Sequence, residues 1–150
     1  MDVPTTNVSS HERPAELAGL PIDHIGIAVQ DLEQASQAYR LLGLSPEGED
    51  EVVSGQGVRV RAFRAGGSLL ELLEPTQDDS PIAQFIAKRG AGLHHIALRV
   101  EALEQQVAAL LAQGARFINT EPREGRAGTR VVFLHPKWAQ GVLIELVEHR

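Results

Sequence analysis

The feature that most constrains this sequence is an internal repeat. Residues 24–29 (HIGIAV) reappear 71 positions later as residues 95–100 (HIALRV), and in both copies Leu-Glu follows after two intervening residues. Residues 70–74 (LELLE) are echoed 74 positions later by residues 144–148 (IELVE). A duplicated unit changes how every motif within it is interpreted. We therefore expect one fold built from two similar modules.

The first half has the pattern βαβββ. Residues 22–29 are rich in β-branched side chains and alternate like a strand, and apolar residues recur at helical spacing over residues 31–42. Asp31 is the predicted N-cap and Gly43 the predicted stop of this helix. Three further strands are predicted at residues 46–53, 57–64 and 68–74.

The second half repeats this order. A strand at 93–100 precedes an amphipathic helix at 103–111, which Gly114 is predicted to end. Strands are predicted at 115–119, 130–134 and 141–148, and the turn between the first two contains Pro122, Gly125 and Gly128.

The domain organisation follows from these two halves. Residues 1–20 are polar, interrupted by prolines and aperiodic, which predicts a disordered N-terminal tail. Residues 21–150 then form a single domain of two modules, at about 21–75 and 92–148. A short helical linker joins them, capped by Ser80-Pro81 and ending near Arg89. The expected fold is α+β, with two βαβββ modules forming one curved mixed sheet around a cleft.

Composition excludes several classes of function. The 150 residues include six histidines and no cysteine, so disulfides, thiolate zinc sites and iron-sulfur clusters are ruled out. A formal charge of -6 and 4% aromatic residues argue against nucleic-acid binding. No apolar run approaches the roughly 20 residues of a membrane helix, and the N-terminus lacks signal-peptide features. We expect a cytoplasmic protein without nucleic-acid or membrane partners.

Two histidines and two glutamates occupy equivalent positions of the repeat. On the first strand His24 shares a face with Gly26, and His95 shares a face with a small residue on the matching strand. Glu71 and Glu145 each lie between apolar residues of a strand, where a lone carboxylate is expensive to bury. Taken alone, each histidine is more often a core residue and each glutamate a solvated one. Their recurrence in both halves instead favours one metal site of nitrogen and oxygen donors.

The other histidines receive lesser roles. His94 must face away from its neighbour His95, which predicts a role in packing or in supporting the metal ligands. His135 ends a strand before a loop and could line the mouth of the site. His11 and His149 lie near the chain ends and are expected to be solvated.

These motifs together resemble a known family. The runs IDHIGIAV, LELLEP, DSPIA, GLHHIALRV, FLHPK and GVLIELVE, spread over about residues 21–148, closely resemble the methylmalonyl-CoA epimerases of the vicinal oxygen chelate superfamily. The resemblance implies the vicinal oxygen chelate (glyoxalase) fold and a divalent metal held by His24, His95 and Glu145. Glu71 stands at the fourth ligand position, which is often Gln in that family. Cobalt is the metal favoured by the resemblance, with nickel, manganese or zinc as alternatives.

The resemblance also implies an activity. Methylmalonyl-CoA would be interconverted between its 2R and 2S forms by proton abstraction at C2 through a metal-stabilised enolate, in propionyl-CoA and branched-chain amino-acid metabolism. Glu145 and Glu71 are the expected catalytic residues. Val60 stands where some relatives have a glutamate that acts as second base. A homodimer is expected by analogy, and the candidate substrate contacts are Arg130, His135 and Lys137.

The sequence leaves three other functions to be considered. A glyoxalase I-like lyase acting on a glutathione thiohemiacetal would use a similar ligand set. An extradiol dioxygenase needs iron with two histidines and one carboxylate, so Glu71 would crowd its open positions. A non-catalytic small-molecule-binding protein of the resistance type would need no metal ligands.

Overall fold

The computed structural model describes residues 19–150. His11 and most of the predicted tail lie outside these residues. The elements, in chain order, are β1 (Ile22–Ala28), α1 (Leu32–Leu41), β2 (Ser45–Pro46), β3 (Glu51–Val53), β4 (Val58–Ala65), β5 (Ser68–Pro75), α2 (Pro81–Arg89), β6 (Gly92–Arg99), α3 (Leu103–Ala112), β7 (Phe117–Glu124), β8 (Arg130–Leu134) and β9 (Ile144–Glu148). Short 3-10 turns at Ser54–Gln56 and Arg126–Gly128 precede β4 and β8.

Two of the predicted helix starts are confirmed in atomic detail. A carboxylate oxygen of Asp31 accepts a hydrogen bond from the backbone N–H of Gln34 at 2.8 Å. Ser80 caps α2 in the same way, accepting from the N–H of Ala83 at 3.1 Å. These bonds satisfy backbone donors that the first turn of a helix leaves free. The predicted stop at Gly43 is also confirmed, because its φ of 87° continues no right-handed helix.

Three predicted strands have different bounds. The strand expected at 46–53 is split into β2 and β3, because Pro46 has no N–H and Gly48 turns the chain at a φ of 74°. The strand expected at 115–119 is β7, which continues to Glu124. Pro122, expected in the turn, therefore lies within a strand. A proline is tolerated there because β7 is the edge of the sheet. The last strand starts at Ile144 rather than at residue 141.

The nine strands within residues 19–150 form one mixed sheet of order β2-β4-β5-β1-β6-β9-β8-β7, with β3 also paired to β4. At its centre β1 and β6 run antiparallel, and each is flanked by a parallel partner, β5 or β9. The two halves are thus arranged about the central β1–β6 pair as the repeat predicts. The α+β fold with paired modules is confirmed.

The helices determine which face of the sheet carries the functional side chains. Helix α1 covers a cluster with Leu72 of β5, and α3 covers a cluster with Leu146 of β9. Since successive strand residues point to opposite faces, Glu71 and Glu145 must point away from α1 and α3. Helix α2 packs near the opposite face, where Ile82 belongs to a buried apolar cluster that includes Val60 and Leu73. No helix in the described part of the chain is long and apolar enough to cross a membrane.

Candidate active site

The four predicted ligands converge in one buried cluster. The Nε2 atoms of His24 and His95 are 3.1 Å apart. Glu145 approaches both histidines, with Oε1 at 3.2 Å from His95 Nε2 and Oε2 at 3.6 Å from His24 Nε2. Glu71 Oε1 lies 3.5 Å from His24 Nε2. Three of these residues, His24, His95 and Glu145, offer ligand atoms that all lie within 4.8 Å of one another.

Strand register explains why the cluster forms. On the central pair, Gly26 lies opposite His95 and Ala97 lies opposite His24. On the outer flanks, Gly26 pairs with Glu71 and Ala97 pairs with Glu145. Each small residue therefore has a histidine on one side and a glutamate on the other. A Cβ on Gly26 would lie 2.2 Å from His95 Cε1, so the ring occupies the space that the missing side chain leaves.

The donor set fits a divalent metal ion. Two imidazole nitrogens and carboxylate oxygens are ligands of first-row divalent ions. Ligand atoms about 2.1 Å from one ion and at right angles around it are about 3.0 Å apart, close to the separations of the His24, His95 and Glu145 atoms. Such an ion would be held by His24, His95 and Glu145, and Glu71 offers a further oxygen donor beside His24.

A hydrogen-bonded chain behind His24 was not predicted. Asp23 Oδ2 accepts from His24 Nδ1 at 2.7 Å, and Asp23 Oδ1 is 2.6 Å from His149 Nε2. His149 is therefore bonded to the site rather than simply solvated as expected. The carboxylate of Asp23 leaves Nε2 of His24 as the free nitrogen facing the cluster. An irregular register between Ile22 and His24 interrupts the alternation at this point, which is why alternation alone missed Asp23.

His94 supports the other imidazole. Its Nδ1 is 2.9 Å from Nδ1 of His95, and its ring packs edge-on against Phe85 at a centroid distance of 4.8 Å. Burial and the neighbouring His95 lower the pKa of His94 to about 4, so it is neutral at physiological pH. With His95 Nε2 facing the cluster, His95 Nδ1–H donates to His94. The role predicted for His94, packing and support, agrees with this geometry. Its predicted orientation away from His95 is wrong, because both histidines line the outer cavity beside an irregularity in the β1–β6 register.

The close approach of two imidazoles and two carboxylates shifts pKa values within the cluster. Burial lowers the pKa of His24, but the hydrogen bond to Asp23 and the charges of Glu71 and Glu145 outweigh it and raise the pKa to about 9. Burial raises the pKa of Glu71, opposed by the positive charges of His24, His95 and Arg126. The carboxylates thus attract a positive charge to the point where the two imidazoles meet.

Two cavities meet at the cluster. The inner one, of about 40 Å³, is lined by all four predicted ligands and also by Val60 and Arg126. The outer one, of about 270 Å³, is mostly apolar and extends past Phe133 and Leu143. The two share His95, Gln56 and Leu73 in their linings. Val60 contributes only an apolar wall, so it has no group that transfers protons.

The other predicted site residues lie outside these cavities. Arg130 is on the α3 side of the sheet, where its guanidinium donates to Glu104 and Glu148. The substrate contact predicted for Arg130 therefore has no support from its position. His135 and Lys137 follow β8, and His135 Nδ1 accepts from the N–H of Lys137 at 3.1 Å. Neither is among the residues that line the inner or the outer cavity.

Comparison with known proteins assigns the chain to a superfamily. A sequence model of the Glyoxalase/Bleomycin resistance protein/Dioxygenase superfamily matches residues 23–133. The chain belongs to this superfamily. This membership agrees with the vicinal oxygen chelate fold expected from the sequence.

Within the superfamily the chain is similar to methylmalonyl-CoA epimerases. It is 39% identical over 127 residues to the ethylmalonyl-CoA/methylmalonyl-CoA epimerase of Cereibacter sphaeroides, covering 83% of this chain and 95% of that protein. It is 43% identical over 128 residues to the uncharacterized protein YqjC of Bacillus subtilis, covering 85% of this chain and 91% of that protein. A solved methylmalonyl-CoA epimerase in complex with methylmalonyl-CoA and NH4+ superposes with a TM-score of 0.81 at 41% identity, covering 86% of this chain and 94% of that chain.

Proposed function

We propose that this protein is a metal-dependent methylmalonyl-CoA epimerase. The observation that carries the proposal is the buried convergence of His24, His95, Glu71 and Glu145 at the junction of the two cavities. The relatives named methylmalonyl-CoA epimerase, and the neighbour solved with methylmalonyl-CoA, support this substrate. Four buried polar side chains aimed at one point are costly in a protein that only sequesters an apolar ligand. The arrangement therefore favours a catalyst over a binding protein.

The two histidines are proposed as metal ligands only, whereas the two glutamates are proposed both as ligands and as proton carriers. His24, His95 and Glu145 are the proposed ligands of a divalent ion, cobalt being the favoured metal, and Glu71 is the fourth. When bound, the ion supplies Lewis-acid stabilisation for the negative charge that develops on the thioester oxygen as C2 loses its proton. The hydrogen bonds of Asp23 and His94 hold the two imidazoles in place.

Epimerisation requires proton transfer on both faces of C2. A single base would tend to return the proton to the face from which it came. Glu71 belongs to β5 and Glu145 to β9, so the two carboxylates reach the cluster from opposite sides of the central β1–β6 pair. We assign proton transfer on one face of C2 to Glu145 and on the other face to Glu71, so that in either direction one carboxylate removes the proton and the other donates one. Val60 makes no contribution at the position that carries a glutamate in some relatives.

Further parts of the proposal concern binding and assembly. His135 and Lys137 line neither cavity, and they are proposed from the sequence as contacts for the part of the substrate that lies outside the cavities. A homodimer and a cytoplasmic location remain predictions from the sequence.

The proposal is tested by turnover and by deuterium exchange at C2 of methylmalonyl-CoA. The wild type, loaded with Co2+, should epimerise the substrate and exchange its C2 proton with solvent. Glu145→Gln and Glu71→Gln should each lower the rate by about 10²- to 10⁴-fold, the usual contribution of a general acid or base. Glu148→Gln is the matched control, because this residue lies on the same strand but pairs with Arg130.

Metal content is measured in every variant, so that a lost proton carrier is distinguished from a lost ligand. Near wild-type turnover in metal-loaded Glu145→Gln would refute the role of this residue. Turnover of a glutathione thiohemiacetal without exchange on methylmalonyl-CoA would indicate a glyoxalase instead. A wild type that binds no metal and exchanges no proton would indicate a binding protein.

A further inference from the structure

Arg126 belongs to the second half of the chain, lines the inner cavity and contacts residues of the first half. It lies on the 3-10 turn at the tip of the β7–β8 hairpin, and its Nη2 donates to the backbone carbonyl of Glu47 at 2.8 Å. The next residue in the turn, Ala127, donates its N–H to Glu51 Oε1 at 2.9 Å. Gln56 Nε2 in turn donates to the carbonyl of Glu124 at 3.1 Å. These contacts hold the guanidinium of Arg126 in a defined place beside the site.

One buried donor of the Arg126 side chain has no partner. Nε of Arg126 is buried, and within residues 19–150 it has no hydrogen-bond acceptor. Buried polar groups nearly always have a partner, so an exception needs an explanation. Arg126 lines the inner cavity together with His24 and Glu71. The unpaired Nε–H therefore belongs to a side chain that lines the cavity in which the acyl group would bind.

The charges around the inner cavity are compatible with an anionic occupant. Three carboxylates, those of Asp23, Glu71 and Glu145, line it. A divalent ion held by the cluster would offset two of these charges, and the guanidinium of Arg126 would offset the third. A guanidinium remains charged in proteins and its fork of donors matches a carboxylate. An acyl group that bears a carboxylate would therefore meet no net negative charge in the inner cavity.

We propose that Arg126 is the specificity residue that binds the free carboxylate of the acyl group, with its Nε–H donating to a carboxylate oxygen. The site would thereby select CoA thioesters of dicarboxylic acids over those of monocarboxylic acids. This inference rests on the proposed function and names the residue that recognises its substrate class.

The test compares equilibrium binding of malonyl-CoA and propionyl-CoA by calorimetry on the Co2+-loaded protein. The two thioesters share the CoA group and differ in having a carboxylate or a methyl group at the acyl end. The wild type should prefer malonyl-CoA. Arg126→Gln should weaken malonyl-CoA binding by about 10- to 100-fold, the range for removing one charge-assisted hydrogen bond, while propionyl-CoA binding stays unchanged. Arg126→Lys should restore part of the preference, and Arg40→Gln, which alters an arginine of α1 paired with Glu33, should retain all of it.

Each alternative outcome has a distinct meaning. Equal weakening for both thioesters would show that Arg126 only anchors the hairpin, and melting curves of the variants would report that loss separately. Unchanged malonyl-CoA binding in Arg126→Gln overturns the inference while leaving epimerisation by the wild type intact. A preference that collapses in Arg126→Gln, in a protein whose wild type exchanges no C2 proton, would uphold carboxylate recognition and overturn the epimerase function.

Discussion

Replacing Gly26 by Ala should disable the site without unfolding the protein. The added Cβ would lie 2.2 Å from Cε1, 2.4 Å from Nδ1 and 2.8 Å from Nε2 of the His95 ring. Carbon atoms in contact are normally about 3.5–4.0 Å apart, so the ring or the strand must move by more than about 1.3 Å. Functional groups must be held to within about 0.5 Å, and a misplacement of 1 Å can lower a rate about 10²-fold.

We therefore expect Gly26→Ala to lower kcat/KM by about two orders of magnitude and to weaken metal binding, with overpacking lowering the free energy of unfolding by about 1–3 kcal/mol. Turnover, calorimetric titration with Co2+ and denaturant unfolding measure the three effects. Gly67→Ala is the matched control, because nothing lies within 4 Å of a Cβ at that turn position. Wild-type metal affinity and turnover in Gly26→Ala would refute the argument that the His95 ring depends on this space.

Two further predictions concern other polar contacts. Asp23→Asn should weaken Co2+ binding by about 10- to 100-fold, because the carboxylate that orients His24 is lost, and competition calorimetry will measure it. In Asp50→Asn the melting temperature should fall less steeply than in the wild type as the pH is lowered into the acidic range. Melting curves recorded over a series of pH values measure this difference. The hydrogen bonds from Arg61 hold the pKa of Asp50 below its usual range, so its contribution is present above about pH 4 and is lost as the pH falls further.

Controls separate these effects from general damage. His149→Gln removes the second partner of Asp23 but leaves the carboxylate beside His24, so its effect on Co2+ affinity should be smaller. Equal losses in the two variants would contradict the orienting role of Asp23. For the pH experiment, Asp78→Asn at an exposed turn serves as reference. A stability difference between wild type and Asp50→Asn that is the same at every pH would contradict the proposed ionisation.

Much of the fold was predictable because its signals are local. Asp31 and Ser80 cap helices through bonds to residues three positions away. The repeat added the long-range information that local patterns lack, since it related His24 to His95 and Glu71 to Glu145. The split of the predicted strand at 46–53 was missed because the prediction treated these residues as one strand, although Pro46 and Gly48 both restrict or turn the backbone there.

The remaining parts of the site depend on tertiary contacts. Asp23 meets His149 across 126 residues, and Arg126 meets Glu47 across 79. Neither pair belongs to the repeat, so no pattern in the sequence predicts these contacts. Arg130 is the opposite case. The sequence suggested it as a cation for an anionic substrate, but its guanidinium pairs with two carboxylates on the far face of the sheet. Alternation and duplication determine which residues face the cleft, whereas strand register, a local irregularity and the reach of a hairpin tip determine what surrounds them.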